Sequence, residues 1–158
     1  MQVEYINSFI SSLDHTFQTM LDCEVVRGQP VLKENLSPKF EVSGVIGLSG
    51  KAVGTVVVSF SKEVALRAAS HMLLAENAEL NAEVIDAVGE LTNMVAGAAK
   101  SQLEEYALST SLPNVITGSL HEIRFPSDVT PICVPFSTKW GPLALEVGFS
   151  PVRDQLPV

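Results

Sequence analysis

Residues 40–60, FEVSGVIGLSGKAVGTVVVSF, decide the fold class of this 158-residue chain. The even positions from 40 to 48 are apolar around Gly44, which is the alternation of a strand with one buried face. Residues 52–60 are almost continuously apolar, as in a strand that is covered on both faces. The connection between these two runs is short and contains Gly50. The stretch therefore predicts a β-hairpin.

Helices are predicted on both sides of this hairpin. Residues 3–21 carry apolar side chains at helical spacing, which indicates an amphipathic helix. After the hairpin, Ser61 stands at the N-cap position of a second helix that ends near Ala75. A third and longest helix is predicted from about Glu79 to Ala107. The segment GQPVLKENLSPKF, residues 28–40, has no period and is interpreted as a loop.

The last third of the chain changes to a strand period. Three short runs are typical of strands: NVITGSL, PICVPFS and PLALEVGF, at residues 114–120, 131–137 and 142–149. In the last run the odd positions are apolar, so one face is buried. The element order predicts an α+β fold with a mixed, largely antiparallel sheet and helices packed on one face. The length predicts a single domain over residues 1–158.

Composition narrows the possible partners and the compartment. The net charge of −8, with ten scattered Lys and Arg residues, disfavours nucleic acid, whose binding depends on clustered basic residues. No basic amphipathic stretch or long apolar run suggests a membrane. The N-terminus lacks the pattern of a secretory signal, and Cys23 and Cys133 lack C-x-x-C spacing, so we expect a cytoplasmic protein. A protein partner or a small ligand remains.

The long helix carries a polar stripe opposite its apolar side. At 3.6 residues per turn, Val84, Val88, Leu91, Val95 and Ala98 share one sector. Glu90 and Asn93 project from the middle of the opposite side, and they are neighbours because they are three residues apart. The other members of the stripe that we single out are Asp86, Gly97 and Lys100.

Spacing alone does not make this pair a site. A Glu and an Asn on the wet side of a helix usually remain hydrated, and Glu4 and Asn7 have the same spacing in the first helix. What distinguishes the second pair is its position between Gly89 and Gly97. A glycine costs a helix interior roughly 1 kcal/mol relative to alanine, so both glycines call for a reason. Close packing of the helix and close approach of another backbone are both open at this point.

The stretch VGELTNMVAG, residues 88–97, resembles the Glu-x-x-Asn signature of the CheC and CheX chemotaxis phosphatases. The resemblance continues through IGLSGKAVGTVVVSFS, SHMLL and VPFST, at residues 46–61, 70–74 and 134–138, and covers nearly the whole chain. CheC-type members carry two copies of the signature and CheX-type members carry one, on the long central helix. Because Glu4–Asn7 lacks the glycine context, the sequence is similar to the CheX type.

The resemblance implies a phosphatase that hydrolyses the aspartyl phosphate of a CheY-like response regulator. It implies that Glu90 and Asn93 are catalytic, with Asn93 orienting the attacking water and Glu90 pairing with the regulator's lysine. We expect Asp86, Gly97 and Lys100 to line the docking surface. The resemblance also implies a homodimer with no cofactor of its own, the Mg²⁺ being on the regulator. The alternative is a non-catalytic adaptor of the same fold that docks a receiver domain or a flagellar-switch component.

Other motifs in the chain do not reach the pattern that their chemistry needs. GLSGKAVG would need a glycine at Val45 and a Ser or Thr at Ala52 to be a phosphate-binding loop. His15, His71 and His121 are isolated from one another and from the cysteines, so no metal site is predicted.

Overall fold

The computed structural model describes residues 4–33, 35, 37–118, 122–126 and 129–152. Helices α1, α2 and α3 span Tyr5–Leu21, Lys62–Leu73 and Ala82–Gln102. The strands are β1 Val26–Arg27, β2 Val31–Leu32, β3 Val42–Ser49, β4 Ala52–Phe60, β5 Ser109–Thr110, β6 Asn114–Thr117, β7 Ile132–Thr138 and β8 Gly141–Pro151. All eight belong to one sheet, and every described pairing is antiparallel. The α+β prediction is confirmed.

The sheet is built around the predicted hairpin. The strand order is β1-β7-β8-β4-β3-β5, with β2 also paired to β7 and β6 also paired to β3. The hairpin register runs from Val42 opposite Phe60 to Leu48 opposite Gly54. Strand β4 lies in the interior of the sheet, and its Val56, Val57 and Val58 are fully buried. This confirms that the second strand of the hairpin is covered on both faces.

The three helices pack against one face of the sheet and against each other. Helix α1 contributes its apolar stripe, including Phe9, Leu13 and Phe17, which are fully buried. The rings of Tyr5 and Tyr106 both contact Phe149 of β8, at centroid distances of 4.8 and 5.0 Å. No helix in the described part of the chain is both long and apolar enough to cross a membrane.

The other face of β8 is also buried, which its alternation did not predict. The odd positions face the helices as expected, but Glu146 on the opposite face is only 1% exposed. Lys33, in the predicted loop, crosses this face and places Nζ 2.7 Å from Oε2 of Glu146. Gly148 lies beneath Phe125 and Val129. Loops therefore cover the face that the helices leave open.

The long helix is shorter than predicted at both ends. It begins at Ala82 and ends at Gln102, and Glu104–Tyr106 forms a 3₁₀ turn. Tertiary contacts explain the early end: the carbonyl of Tyr106 accepts a hydrogen bond from the Lys51 N–H at 2.8 Å, beside the hairpin turn. These contacts override the helical pattern of the sequence.

Short edge strands were missed altogether. Strand β2 lies in the segment interpreted as a loop, and β1 and β5 also carry no signal in the sequence. Each is two residues long, which is too short for an alternation to be recognised. They exist because longer strands, β7 and β3, offer them hydrogen-bonding partners.

Candidate active site on the long helix

Helix α3 begins at a side-chain cap. The Oδ1 atom of Asn81 accepts a hydrogen bond from the Val84 N–H at 3.0 Å. This satisfies one of the free N–H groups at the helix start, and a cap of this kind is worth about 1 kcal/mol. The first turn of the helix that carries the candidate site is therefore fixed locally.

Thr92, the neighbour of Asn93, packs their turn of α3 against the sheet. Thr92 is fully buried, and its Oγ1 donates a hydrogen bond to the Val88 carbonyl at 2.8 Å. Gly44 of β3 lies directly opposite, where a Cβ atom would overlap the Thr92 side chain. The glycine lets the helix approach the sheet closely at this point. The contact sets the depth of α3 beside Asn93.

The polar stripe faces solvent as the sequence predicted. The side chains of Asp86, Glu90, Asn93 and Lys100 are all exposed, and Gly97 lies among them. None of these side chains makes a hydrogen bond or an ion pair with a described residue. Glu90 and Asn93 are held side by side by the helix, with Cβ atoms about 5–6 Å apart by helical geometry. The structure brings all five predicted residues onto one surface, and their roles stay predictions.

The two glycines that flank the pair have different surroundings. Gly89 is buried, and a Cβ there would lie 3.4 Å from Cγ2 of Val115 and 3.6 Å from Cγ of Pro113. Gly97 is exposed, and a Cβ there would meet no described atom within 4 Å. A Cβ at 89 would make ordinary van der Waals contacts with Val115 and Pro113, so a small side chain fits there. Nothing in the described fold requires a glycine at 97.

The side chains of the exposed pair offer hydrogen-bonding groups that can position another molecule. An asparagine amide offers both a donor and an acceptor, and an ionised glutamate accepts hydrogen bonds from cations. The described residues contain no group of three or more His, Cys, Asp or Glu side chains placed to hold a metal ion. Cys23 and Cys133 are free and buried, and burial raises the pKa of both thiols. The exposed pair can therefore orient a water molecule or a cation at this surface.

A family model described as chemotaxis phosphatase CheX matches residues 42–137 of this chain. The match covers more than half of the chain and includes both the hairpin and the Glu90–Asn93 pair. The chain belongs to the CheX family. Its polar stripe is therefore the exposed helix face of a CheX-family domain.

Relatives agree with this assignment over most of the chain. The CheY-P phosphatase CheX of Thermotoga maritima is 31% identical over 121 residues, 75% of this chain and 78% of that protein. The structure of a CheC-like superfamily protein from a Shewanella species is 36% identical, has a TM-score of 0.86, and aligns over 95% of this chain and 99% of that one. The CheX of Borrelia burgdorferi, solved as a complex with CheY, BeF₃ and Mg²⁺, shares the fold at 23% identity and a TM-score of 0.78, over 94% and 99% of the two chains.

Two residues that position the candidate pair were missed in the sequence. Thr92 lies between Leu91 and Asn93 and reads as an ordinary helical residue. Gly44 interrupts the apolar alternation of β3, and this interruption is a signal for a close backbone approach. The sequence could not show that the two positions face each other, because they are 48 residues apart.

The described cavities lie away from this CheX-family helix. Three clefts of about 380–460 Å³ are lined by residues around β1, β2 and β7. One of them is lined by Glu4 and Asn7, the second Glu-x-x-Asn pair. The candidate active site is a convex helix surface, which is a shape suited to another protein's cleft and not to enclosing a small ligand.

Proposed function

We propose that this protein is a phosphatase that hydrolyses the aspartyl phosphate of a CheY-like response regulator. The observation that carries the proposal is the exposed Glu90–Asn93 pair, in the middle of a helix that Thr92 seats on the sheet, in a chain of the CheX family. A regulator would present its phosphorylated aspartate to this helix surface. The two side chains would then enter the regulator's active site.

Asn93 is the residue that acts on water. Its amide oxygen accepts a hydrogen bond from the attacking water, and its amide nitrogen donates to an oxygen near the phosphorus. Positioning and electrostatics are the main contributions a protein makes to phosphoryl transfer. An acceleration of about a hundredfold requires about 2.7 kcal/mol, which one placed polar group can supply. Because water is the nucleophile, this chain does not need to supply one.

Glu90 fixes the orientation of the two proteins. Its carboxylate pairs with the regulator's active-site lysine and brings Asn93 into line with the phosphoryl group. Asp86, Gly97 and Lys100 border the pair and line the docking surface. The protein needs no cofactor of its own in this scheme, because the Mg²⁺ is bound by the regulator. The complex of the B. burgdorferi CheX with CheY, BeF₃ and Mg²⁺ supports a partner of this kind.

The proposal extends to the compartment and the assembly. The regulators of two-component systems work in the cytoplasm, so we place this protein there. We also propose a homodimer, with the contact in the β-rich last third of the chain.

Turnover of a phosphorylated CheY-like regulator from the same genome tests the proposal. The phosphatase is added at sub-stoichiometric concentration as wild type, Asn93→Ala, and Asn7→Ala as the matched control. We expect wild type and Asn7→Ala to release many phosphates per molecule, and Asn93→Ala to release almost none while remaining folded. If wild type binds a receiver but leaves its decay rate unchanged, the protein is an adaptor and the proposal is wrong.

A further inference from the structure

The segment 111–113 brings a large apolar side chain to the border of the polar stripe. Leu112 is 86% exposed, whereas the residue after it, Pro113, packs beside Gly89 of α3. Asn93 lies one helical turn after Gly89, on the same side of the helix. The sheet edge at β5 and β6 therefore places Leu112 on the flank of the stripe where Asn93 lies.

The backbone around Leu112 is held in place on both sides. Strands β5 and β6 before and after it both pair with β3. Ser111 exchanges two hydrogen bonds with Gly47: its N–H donates to the Gly47 carbonyl and its Oγ accepts from the Gly47 N–H, both at 2.9 Å. The same Oγ donates to the carbonyl of Leu112 at 3.0 Å. The leucine is thus presented from a fixed backbone, with little ordering entropy left to lose on binding.

Electrostatics alone would not bring a phosphorylated regulator to this surface. The chain has a net charge of −8, and the stripe contains Asp86 and Glu90 against the single cation of Lys100. A phosphoryl group with its acidic surroundings is also anionic, and like charges repel at contact. Beyond the pairing of Glu90 with the regulator's lysine, a further source of attraction is needed, and burial of apolar surface is the usual one. Leu112 is an exposed large apolar side chain at this border.

We propose that Leu112 is the apolar anchor of the regulator-docking surface, packing against an apolar patch that borders the phosphorylation site of the receiver domain. This inference rests on the proposed function and adds a residue that holds the partner without touching the reacting atoms. Leu112 is a positioning residue. Burying it on the flank of the stripe where Asn93 lies also excludes water from the rim of the site.

The test compares Leu112→Ser with Leu32→Ser, a matched control. Leu32 is 57% exposed and belongs to β2, which pairs with β7 near the other edge of the sheet. Two quantities are measured for each: the affinity for a CheY-like receiver activated with beryllium fluoride and Mg²⁺, and the steady-state KM and kcat with the phosphorylated receiver. Beryllium fluoride stands in for the phosphoryl group. Thermal midpoint and oligomeric state are measured alongside.

We expect Leu112→Ser to weaken receiver binding and raise KM by at least about fivefold, with kcat within about twofold, since uniform binding is lost. Leu112→Met should recover most of the affinity, because methionine supplies a similar apolar surface. The midpoint and the oligomeric state should not change, since the side chain is exposed. Leu32→Ser should behave as wild type in both assays.

Three results would overturn the proposal that Leu112 is the apolar anchor. In the first, Leu112→Ser binds and turns over as wild type or is no weaker than Leu32→Ser. In the second, Leu112→Ser loses the dimer, so that the leucine is a contact between two copies of this chain. In the third, wild type binds no receiver, which would overturn the proposed function as well. Failure of the anchor alone is recognised by an active wild type, an inactive Asn93→Ala and an unaffected Leu112→Ser.

Discussion

The chain contains two Glu-x-x-Asn pairs with the same spacing and different surroundings. Glu4–Asn7 and Glu90–Asn93 are both exposed on helices. Glu4 stands at the N-cap of α1, where no side chain caps the helix, and Asn7 lies in the first turn. Glu90–Asn93 lies in the middle of the 21-residue α3, next to a buried threonine that meets a glycine of the sheet. Helix ends fray, whereas a seated helix interior does not.

Equal spacing makes two helical side chains neighbours, but the packing of the helix determines how precisely they are held. A catalytic amide must be held within a fraction of an ångström, because a displacement of about 1 Å can cost about a hundredfold in rate. The contact between Thr92 and Gly44 offers this support to Asn93. The turn that carries Asn7 is packed through Tyr5, whose ring contacts Phe149, but no described strand glycine lies opposite it as Gly44 lies opposite Thr92.

The largest effect is expected for Asn93→Asp. This change keeps the size and an acceptor oxygen but removes the donor and adds a negative charge beside the phosphoryl group. Turnover should fall by at least about a hundredfold, or about 2.7 kcal/mol. The measurement is phosphate release from a phosphorylated CheY-like receiver. Asn7→Asp, the same change in the other pair, should leave the rate unchanged, and an equal loss in both would refute the distinction.

Gly44→Ala should be the most destabilising change at the contact between α3 and the sheet. The new methyl group would overlap Thr92, so α3 must move away from the sheet. Overpacking of this kind costs about 1–3 kcal/mol of unfolding free energy. Denaturant unfolding measures this loss, and turnover should fall further than the unfolded fraction explains. A variant with normal activity per folded molecule would show that the contact does not position Asn93.

Glu90→Gln should weaken docking more than chemistry. The charge that pairs with the regulator's lysine is lost while the shape remains, so KM should rise by about tenfold with a smaller change in kcat. Glu4→Gln is the matched control and should have no effect on either constant. If Glu90→Gln instead lowers kcat alone, Glu90 acts in the chemical step and its role as a docking residue is wrong.

The smallest effect is expected for Gly97→Ala. A Cβ at this position meets no described atom, so the helix should gain up to about 1 kcal/mol of unfolding free energy. Turnover should nevertheless fall, because the methyl group occupies space one turn from Asn93 that a receiver needs. Gly89→Ala is the comparison, since that Cβ would point toward β6 and not toward the partner. Equal turnover in both variants would remove Gly97 from the docking surface.

Much of the fold was predictable because the apolar residues of its main helices and strands recur at a regular period. The hairpin of β3 and β4, the amphipathic α1 and the strands β7 and β8 were all predicted to within two residues of their bounds. The errors lie where one part of the chain depends on a distant part. Examples are the early end of α3 against the hairpin turn, the two-residue strands, and the burial of Glu146 beneath Lys33.

The features of the candidate site also divide into those that the sequence predicts and those that depend on distant parts of the chain. The exposed stripe follows from the sequence alone, since a helix of period 3.6 places Asp86, Glu90, Asn93, Gly97 and Lys100 on the side opposite its apolar residues. Tertiary contacts establish that Gly89 is buried while Gly97 is exposed, how closely Thr92 packs against the sheet, and which apolar side chain borders the stripe. Periodicity is a local property of the backbone, whereas these three depend on β3 and on the segment 111–115, which only folding brings to α3.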